Sequence, residues 1–140
     1  DDLKCKYDLS TILNVVPYVS HNEVVERMVK TNMLLFIVPE ADNNHLIITG
    51  KLFEYMASKT PILSIGPTDG DAAKLLKEAE RDEMLAYNAK DEIKEQILRQ
   101  FISWKDGGKM QWKHANSDLN KFSRKHLTEK LGNVLTAIVS

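Results

Sequence analysis

Met33-Leu34-Leu35-Phe36-Ile37-Val38, then Thr49-Gly50-Lys51-Leu52-Phe53-Glu54-Tyr55-Met56-Ala57-Ser58-Lys59, then Pro61-Ile62-Leu63-Ser64-Ile65 are the stretches that decide the fold. The first is apolar at every position, as a strand covered on both faces by helices must be. In the second, Leu52, Phe53, Met56 and Ala57 fall on one side at helical spacing, and Thr49 stands where an N-cap would. The third is again short and apolar, and Gly66-Pro67 ends it. Strand, helix and strand in that order, with buried strands, predict an α/β fold built on a parallel sheet.

The same alternation extends outward. Val15-Val16-Pro17-Tyr18-Val19 reads as an edge strand, Pro17 lacking the N–H that an inner strand needs. Ser20 and Glu23 form a capping box ahead of a helix with Val24, Val25, Met28 and Val29 on one stripe. Asp69 or Asp71 can cap a helix that turns Ala72, Leu75, Leu76 and Ala79 inward. Met84-Leu85-Ala86-Tyr87 is a weaker strand, and a helix runs from Asp91 to about Trp104 before Gly107-Gly108. Two helices are expected in the tail, residues 109–140, the second with Leu127, Leu131, Val134, Leu135 and Ile138 in register, and Trp104 and Trp112 packing them. Residues 1–13 read as an irregular lead-in, so residues 1–140 form one domain.

Composition narrows the function. Nineteen Lys and Arg against 20 Asp and Glu give a net charge of −1, without the basic excess of a nucleic-acid binder. The apolar run 33–38 is far shorter than the roughly 20 residues that cross a bilayer. The chain opens on Asp1-Asp2 rather than on a basic segment before an apolar one, and Cys5 is its single cysteine. A cytoplasmic, reducing setting is therefore expected, with no disulfide and no cysteine-based metal cluster. His21, His45, His114 and His126 have no metal-ligand spacing, so no metal is expected.

Parallel sheets bind ligands beyond the carboxyl ends of their strands, which singles out residues 39–49, 66–71 and 88–91. Thr49-Gly50-Lys51 begins a helix there, where backbone N–H groups and the positive dipole end face the crevice. Gly50 permits close approach of a phosphate. Lys51 opposes the dipole, and a lysine beside free amides suits an anion. Glu54, one turn on, can accept the hydroxyls of a ribose; otherwise Lys51 and Glu54 are a solvated i,i+3 pair. Gly66, Asp69, Gly70 and Asp71 either line the same crevice or supply ordinary turn and cap chemistry. His45 either reaches the crevice as a hydrogen-bond donor or is a solvated loop histidine.

Lys51-Leu52-Phe53-Glu54-Tyr55 followed by Pro61-Ile62-Leu63 resembles the donor-binding segment of GT-B-fold glycosyltransferases, chiefly the family 4 enzymes of bacterial capsule and exopolysaccharide assembly. Val16 to Glu23 is similar to the strand and turn before it, and Phe122-Ser123-Arg124 to Leu135 to the closing helix, so the resemblance covers roughly residues 14 to 138. It implies a Rossmann-like parallel sheet flanked by helices, a truncated C-terminal domain of the GT-B type. It also implies transfer of a sugar from a UDP- or GDP-sugar, with no other cofactor, to a growing polysaccharide or lipid-linked glycan. Thr49, Gly50 and Lys51 would face the diphosphate, Glu54 the ribose, and Gly66, Asp69, Gly70 and Asp71 the nucleotide. Many of those enzymes carry an earlier glutamate that contacts the donor sugar, at the place of Leu46 here; Glu40, Asp42 and His45 are the nearest candidates.

The acceptor domain and the first strands of the donor domain have no counterpart in residues 1–13, so the chain alone is expected to bind nucleotide weakly and transfer no sugar. Uncovered sheet edge favours a homo-oligomer, and the full enzyme would work at the inner face of a membrane. Two other classes compete. A response-regulator receiver needs a phosphorylatable Asp at a strand end, where this chain has Pro39-Glu40, and a non-catalytic α/β interaction module would leave the crevice empty.

Overall fold

Two four-residue strands, paired in parallel, lie at the centre. The computed structural model describes residues 2–107 and 118–139. In chain order the elements are α1 (Asp2–Lys6), α2 (His21–Lys30), β1 (Leu34–Ile37), α3 (Gly50–Ser58), β2 (Ile62–Ile65), α4 (Asp71–Glu78), α5 (Lys90–Lys105) and α6 (Arg124–Val139), with 3-10 turns at Asn44–Leu46 and Leu119–Phe122. Leu34 faces Ile62 and Ile37 faces Ile65 across the ladder. On the other edge of β2 one parallel bridge joins Ile65 to Leu85. There the Leu85 N–H donates to Ser64 O at 2.8 Å, and the Gly66 N–H donates to Leu85 O at 2.9 Å. The result is a mixed α/β fold with a small parallel sheet flanked by helices.

The core lies on one face of the sheet. Phe36, Val38 and Ile62 meet Leu52 and Met56 of α3, Ala72 and Leu76 of α4, and Met84. Thr60, buried, donates from Oγ1 to Met28 O at 2.7 Å and pins α2 to the start of β2. α4 ends in a Schellman turn, with the Arg81 N–H donating to Leu76 O and the Glu80 N–H to Lys77 O. Glu80 occupies the left-handed position there (φ 55°). The turn carries Arg81 inward, where its Nη2 donates to the Met56 carbonyl in the last turn of α3. A cation at that place complements the dipole. Burial lowers the Arg81 pKa, and neighbouring Asp82 acts in the opposite direction.

Several sequence expectations need correction. Residues 15–19 form no strand; Val15 and Tyr18 are exposed, and Pro17 removes a ladder donor. The apolar run 33–38 is covered on one face only: α5 packs on β2 and buries Leu63, but Leu35 and Ile37 stay 52% exposed. Ala57 lies outside the buried face of α3, and Val25 and Val29 outside that of α2. Gly70, not Asp69 or Asp71, is the N-cap of α4, and Asp71 opens the helix. The strand at 84–87 reduces to the single bridge at Leu85. The lead-in holds one helical turn, α1. Trp104 packs on Phe101 of its own helix, ring centroids 5.7 Å apart, and is otherwise exposed. α5 begins at Lys90 and turns Gln96 and Gln100 inward, Gln96 donating to Ile62 O at 3.4 Å. In α6 the predicted stripe from Leu127 to Ile138 is exposed. Gly108, Trp112, His114 and the first tail helix lie outside the described residues.

Because the Arg81 guanidinium bridges the end of α4 to the end of α3, Arg81→Met should lower the free energy of unfolding by about 1–3 kcal/mol. Urea denaturation followed by circular dichroism reads this as a lower midpoint at unchanged slope; an unchanged midpoint would refute it.

Candidate functional site

β1 delivers the chain to its carboxyl end at Val38, residues 39–49 follow, and α3 starts from there. Thr49 holds the N-cap in extended geometry (φ −113°, ψ 151°), but its side chain makes no capping bond. The Leu52 N–H donates to Thr49 O at 3.1 Å and closes the first turn. No acidic residue lies in that turn, so the positive end of α3 stays uncompensated. A Cβ built on Gly50 would meet nothing within 4 Å. Lys51 and Glu54 are exposed, and among the described residues neither forms an ion pair, so the solvated i,i+3 pair is not made.

Glu54 borders a groove of about 400 Å³ between α3 and the turn at Leu119–Phe122. Phe53, Ala57, Leu119 and Phe122 make its walls largely apolar. The turn is anchored from two sides. Phe122 stands 6.4 Å from Phe53, ring centre to ring centre. Lys121 Nζ donates to Glu78 O at 2.9 Å and pairs with Glu78 Oε1 at 3.2 Å. Next to Glu54, Tyr55 packs edge-on against Phe36. Burial raises the Tyr55 pKa above the ordinary phenol value, and the Glu54 carboxylate adds to the rise.

Residues 66–71 are mainly packed. Gly66 has no room for a side chain, because a Cβ would come within 2.9 Å of Met84 Sδ and of Val38 Cβ. Its N–H is taken by Leu85 O, and that of Gly70 by Pro67 O at 3.2 Å. Gly70 also lies against the loop before α3, since a Cβ there would stand 3.1 Å from His45 O. Asp71 pairs with Lys74 at 2.9 Å, and Asp69 is exposed.

Glu40, Asp42 and His45 are exposed on that loop, and two residues that the sequence reading passed over hold it in place. The Tyr87 hydroxyl donates to Val38 O at 2.8 Å, with Pro39 O at 3.3 Å. Asn44 Nδ2 donates to the Tyr87 hydroxyl at 3.0 Å and to Pro39 O at 3.2 Å. The only sequence signal for this was a tyrosine at the carboxyl end of a weak strand. The structure thus brings residues 39–48, Gly70 and Tyr87 together at the strand ends, while Glu54 opens onto the groove beside the tail. Among the described residues, no group of three or more His, Cys, Asp or Glu could hold a metal ion. No described helix is long and apolar enough to cross a membrane.

Compared with protein-family models, curated proteins and solved structures, the chain gives no match.

The raised Tyr55 pKa means that its neutral form is favoured in the folded state. The stability it contributes is full below the unfolded phenol pKa and is lost as pH rises through the folded one. Ultraviolet difference titration should show a phase above the ordinary phenol range that Tyr55→Phe removes and that Glu54→Gln moves to lower pH; a titration curve that keeps this phase in Tyr55→Phe would contradict the assignment.

Proposed function

We propose that this chain is the donor-binding region of a family 4-like glycosyltransferase, and that its small sheet belongs to a truncated Rossmann-like domain of the GT-B type. The observation that carries the reading is the start of α3. A helix following a parallel strand opens with no side-chain cap, with open space over Gly50, with Lys51 in its positive first turn, and with Glu54, which makes no ion pair among the described residues, one turn on. This lies within the segment whose sequence resembles the donor site of those enzymes.

In the reaction, an acceptor hydroxyl attacks the anomeric carbon of a UDP- or GDP-sugar, the bond from that carbon to the diphosphate breaks with its electron pair going to the diphosphate oxygen, and the hydroxyl proton passes to water. Negative charge grows on the departing diphosphate. Fixed donors and dipoles aimed at that charge act more strongly in the transition state than on the bound donor. The amides of α3 and the Lys51 ammonium are suited to that task, and the chemistry invokes no metal. Glu54 accepts hydrogen bonds from the ribose hydroxyls, while Glu40, Asp42 and His45 stand nearest the sugar. Asp69 and Asp71 flank the nucleotide loop, where Gly66 and Gly70 give close packing. The growing polysaccharide or lipid-linked glycan would be held by an acceptor domain outside this sequence, in the cytoplasm at the inner membrane face. The interaction-module alternative draws support from the exposed apolar faces, with Leu35 and Ile37 on β1 and Phe101 and Ile102 on α5.

An NMR titration with UDP and with GDP tests the donor reading. Saturable shifts are expected at Gly50, Lys51 and Glu54 with one of the two. Glu54→Ala should weaken binding at least about tenfold, as the loss of hydrogen bonds to a charged group does. Gly50→Ala should fold normally and bind less, since its methyl fills the open space. No shift with either nucleotide at millimolar concentration would refute the proposal. The exposed faces also predict concentration-dependent self-association in light scattering, reduced by Ile37→Lys; a strictly monomeric species would count against it.

A further inference from the structure

The loop that carries Glu40, Asp42 and His45 is held by contacts that come from far along the chain. Its first residue follows Val38, which is buried at 1% exposure. The Tyr87 hydroxyl spends its single proton on the Val38 carbonyl, and its lone pair accepts from Asn44. Asn44 closes a ring by donating also to Pro39 O. From the other side, Gly70 brings the start of α4 to within van der Waals distance of the His45 backbone. Between these two clamps the chain makes a compact turn: Asn44 N–H donates to Ala41 O, Leu46 N–H to Asn43 O, and Ile47 N–H to Asn44 O. Asn43 adopts the left-handed conformation there (φ 58°).

We propose that Tyr87 is a positioning residue. Through Val38 O and Asn44 it fixes this loop over the carboxyl ends of the strands, and thereby sets how strongly the site prefers a nucleotide-sugar to the bare nucleotide diphosphate. The part concerning sugar preference rests on the function proposed above; the part concerning the loop does not. Tyr87 itself touches no candidate ligand position and acts through the residues it holds. Removing its hydroxyl leaves the aromatic ring in place, takes the donor from the Val38 carbonyl and leaves the Asn44 amide only its bond to Pro39 O.

The test uses Tyr87→Phe in the whole chain, with two readouts. Amide hydrogen exchange at Asn44, Leu46 and Ile47 should quicken at least about fivefold, the effect of losing one of the two hydrogen bonds that the hydroxyl makes, while exchange in α4 and β2 stays as in the wild type. Gly70→Ala, which presses on His45 from the opposite side, should disturb the same amides. In calorimetric titrations with UDP and UDP-glucose, or GDP and GDP-mannose, the extra affinity contributed by the sugar should fall while affinity for the diphosphate is kept. Unchanged loop exchange in Tyr87→Phe overturns the positioning role, whether or not the wild type binds nucleotide. Faster exchange with an undiminished sugar increment overturns the role in preference. A wild type that binds neither nucleotide refutes the donor reading, and exchange alone then decides on Tyr87.

Discussion

Parallel pairing of β1 with β2 is the constraint on which the rest of the structure depends. Two parallel strands cannot be joined by a tight turn; the chain has to travel back to the end of the sheet from which it started. Between Ile37 and Ile62 it does so through a loop and one helix, α3. This return fixes which end of α3 points where. Its N-terminus stands at the carboxyl ends of the strands, and its C-terminus at their amino ends. Leu52 and Met56 then fall on the sheet, both almost fully buried, and Lys51 and Glu54 fall on solvent. The core and the candidate site are two sides of one nine-residue helix.

The two ends of that helix are treated differently. At the C-terminus, the Met56 carbonyl receives the guanidinium of Arg81 and the N–H of Lys59, so the negative end of the dipole is met by a buried cation. At the N-terminus the chain provides no side-chain cap and no acidic residue, and adds a lysine of its own. A helix under selection for stability alone would show complementary charge at both ends. The imbalance leaves a positive field directed at the strand ends, beside the loop held by Tyr87 and Asn44.

Much of this frame was legible in the residues. The period of 3.6 in Leu52, Phe53 and Met56, the apolar runs before and after it, and the Ser20 cap each read correctly, because each signal is local. Ser20 does accept from the Glu23 N–H, although the Glu23 carboxylate turns to Arg27 rather than closing the box. What failed depended on partners. An apolar run shows that a strand likes burial but not how many helices will cover it, so nothing in residues 33–38 distinguishes the exposed Leu35 and Ile37 from the buried Phe36 and Val38. Residues 15–19 have strand composition, yet a strand exists only where a neighbour accepts its bonds. Gly70 took the cap from the aspartates at a place where a Cβ would stand 3.1 Å from the carbonyl oxygen of His45, a neighbour distant in sequence. Tyr87 and Asn44 were invisible for the same reason: they lie 43 positions apart, and nothing in either neighbourhood points to the other.

The lone bridge at Leu85 and the long crossover also bear on the order of events in folding. A hairpin can zip outward from its turn, but this sheet has no such starting point. Each of its pairings joins segments separated by a helix, and the entropy of closing that loop must be met before the first ladder bond forms. Formation of α3 shortens the gap and supplies Leu52 and Met56 as the surface on which β1 and β2 can meet. The strands therefore depend on the helix between them for their encounter.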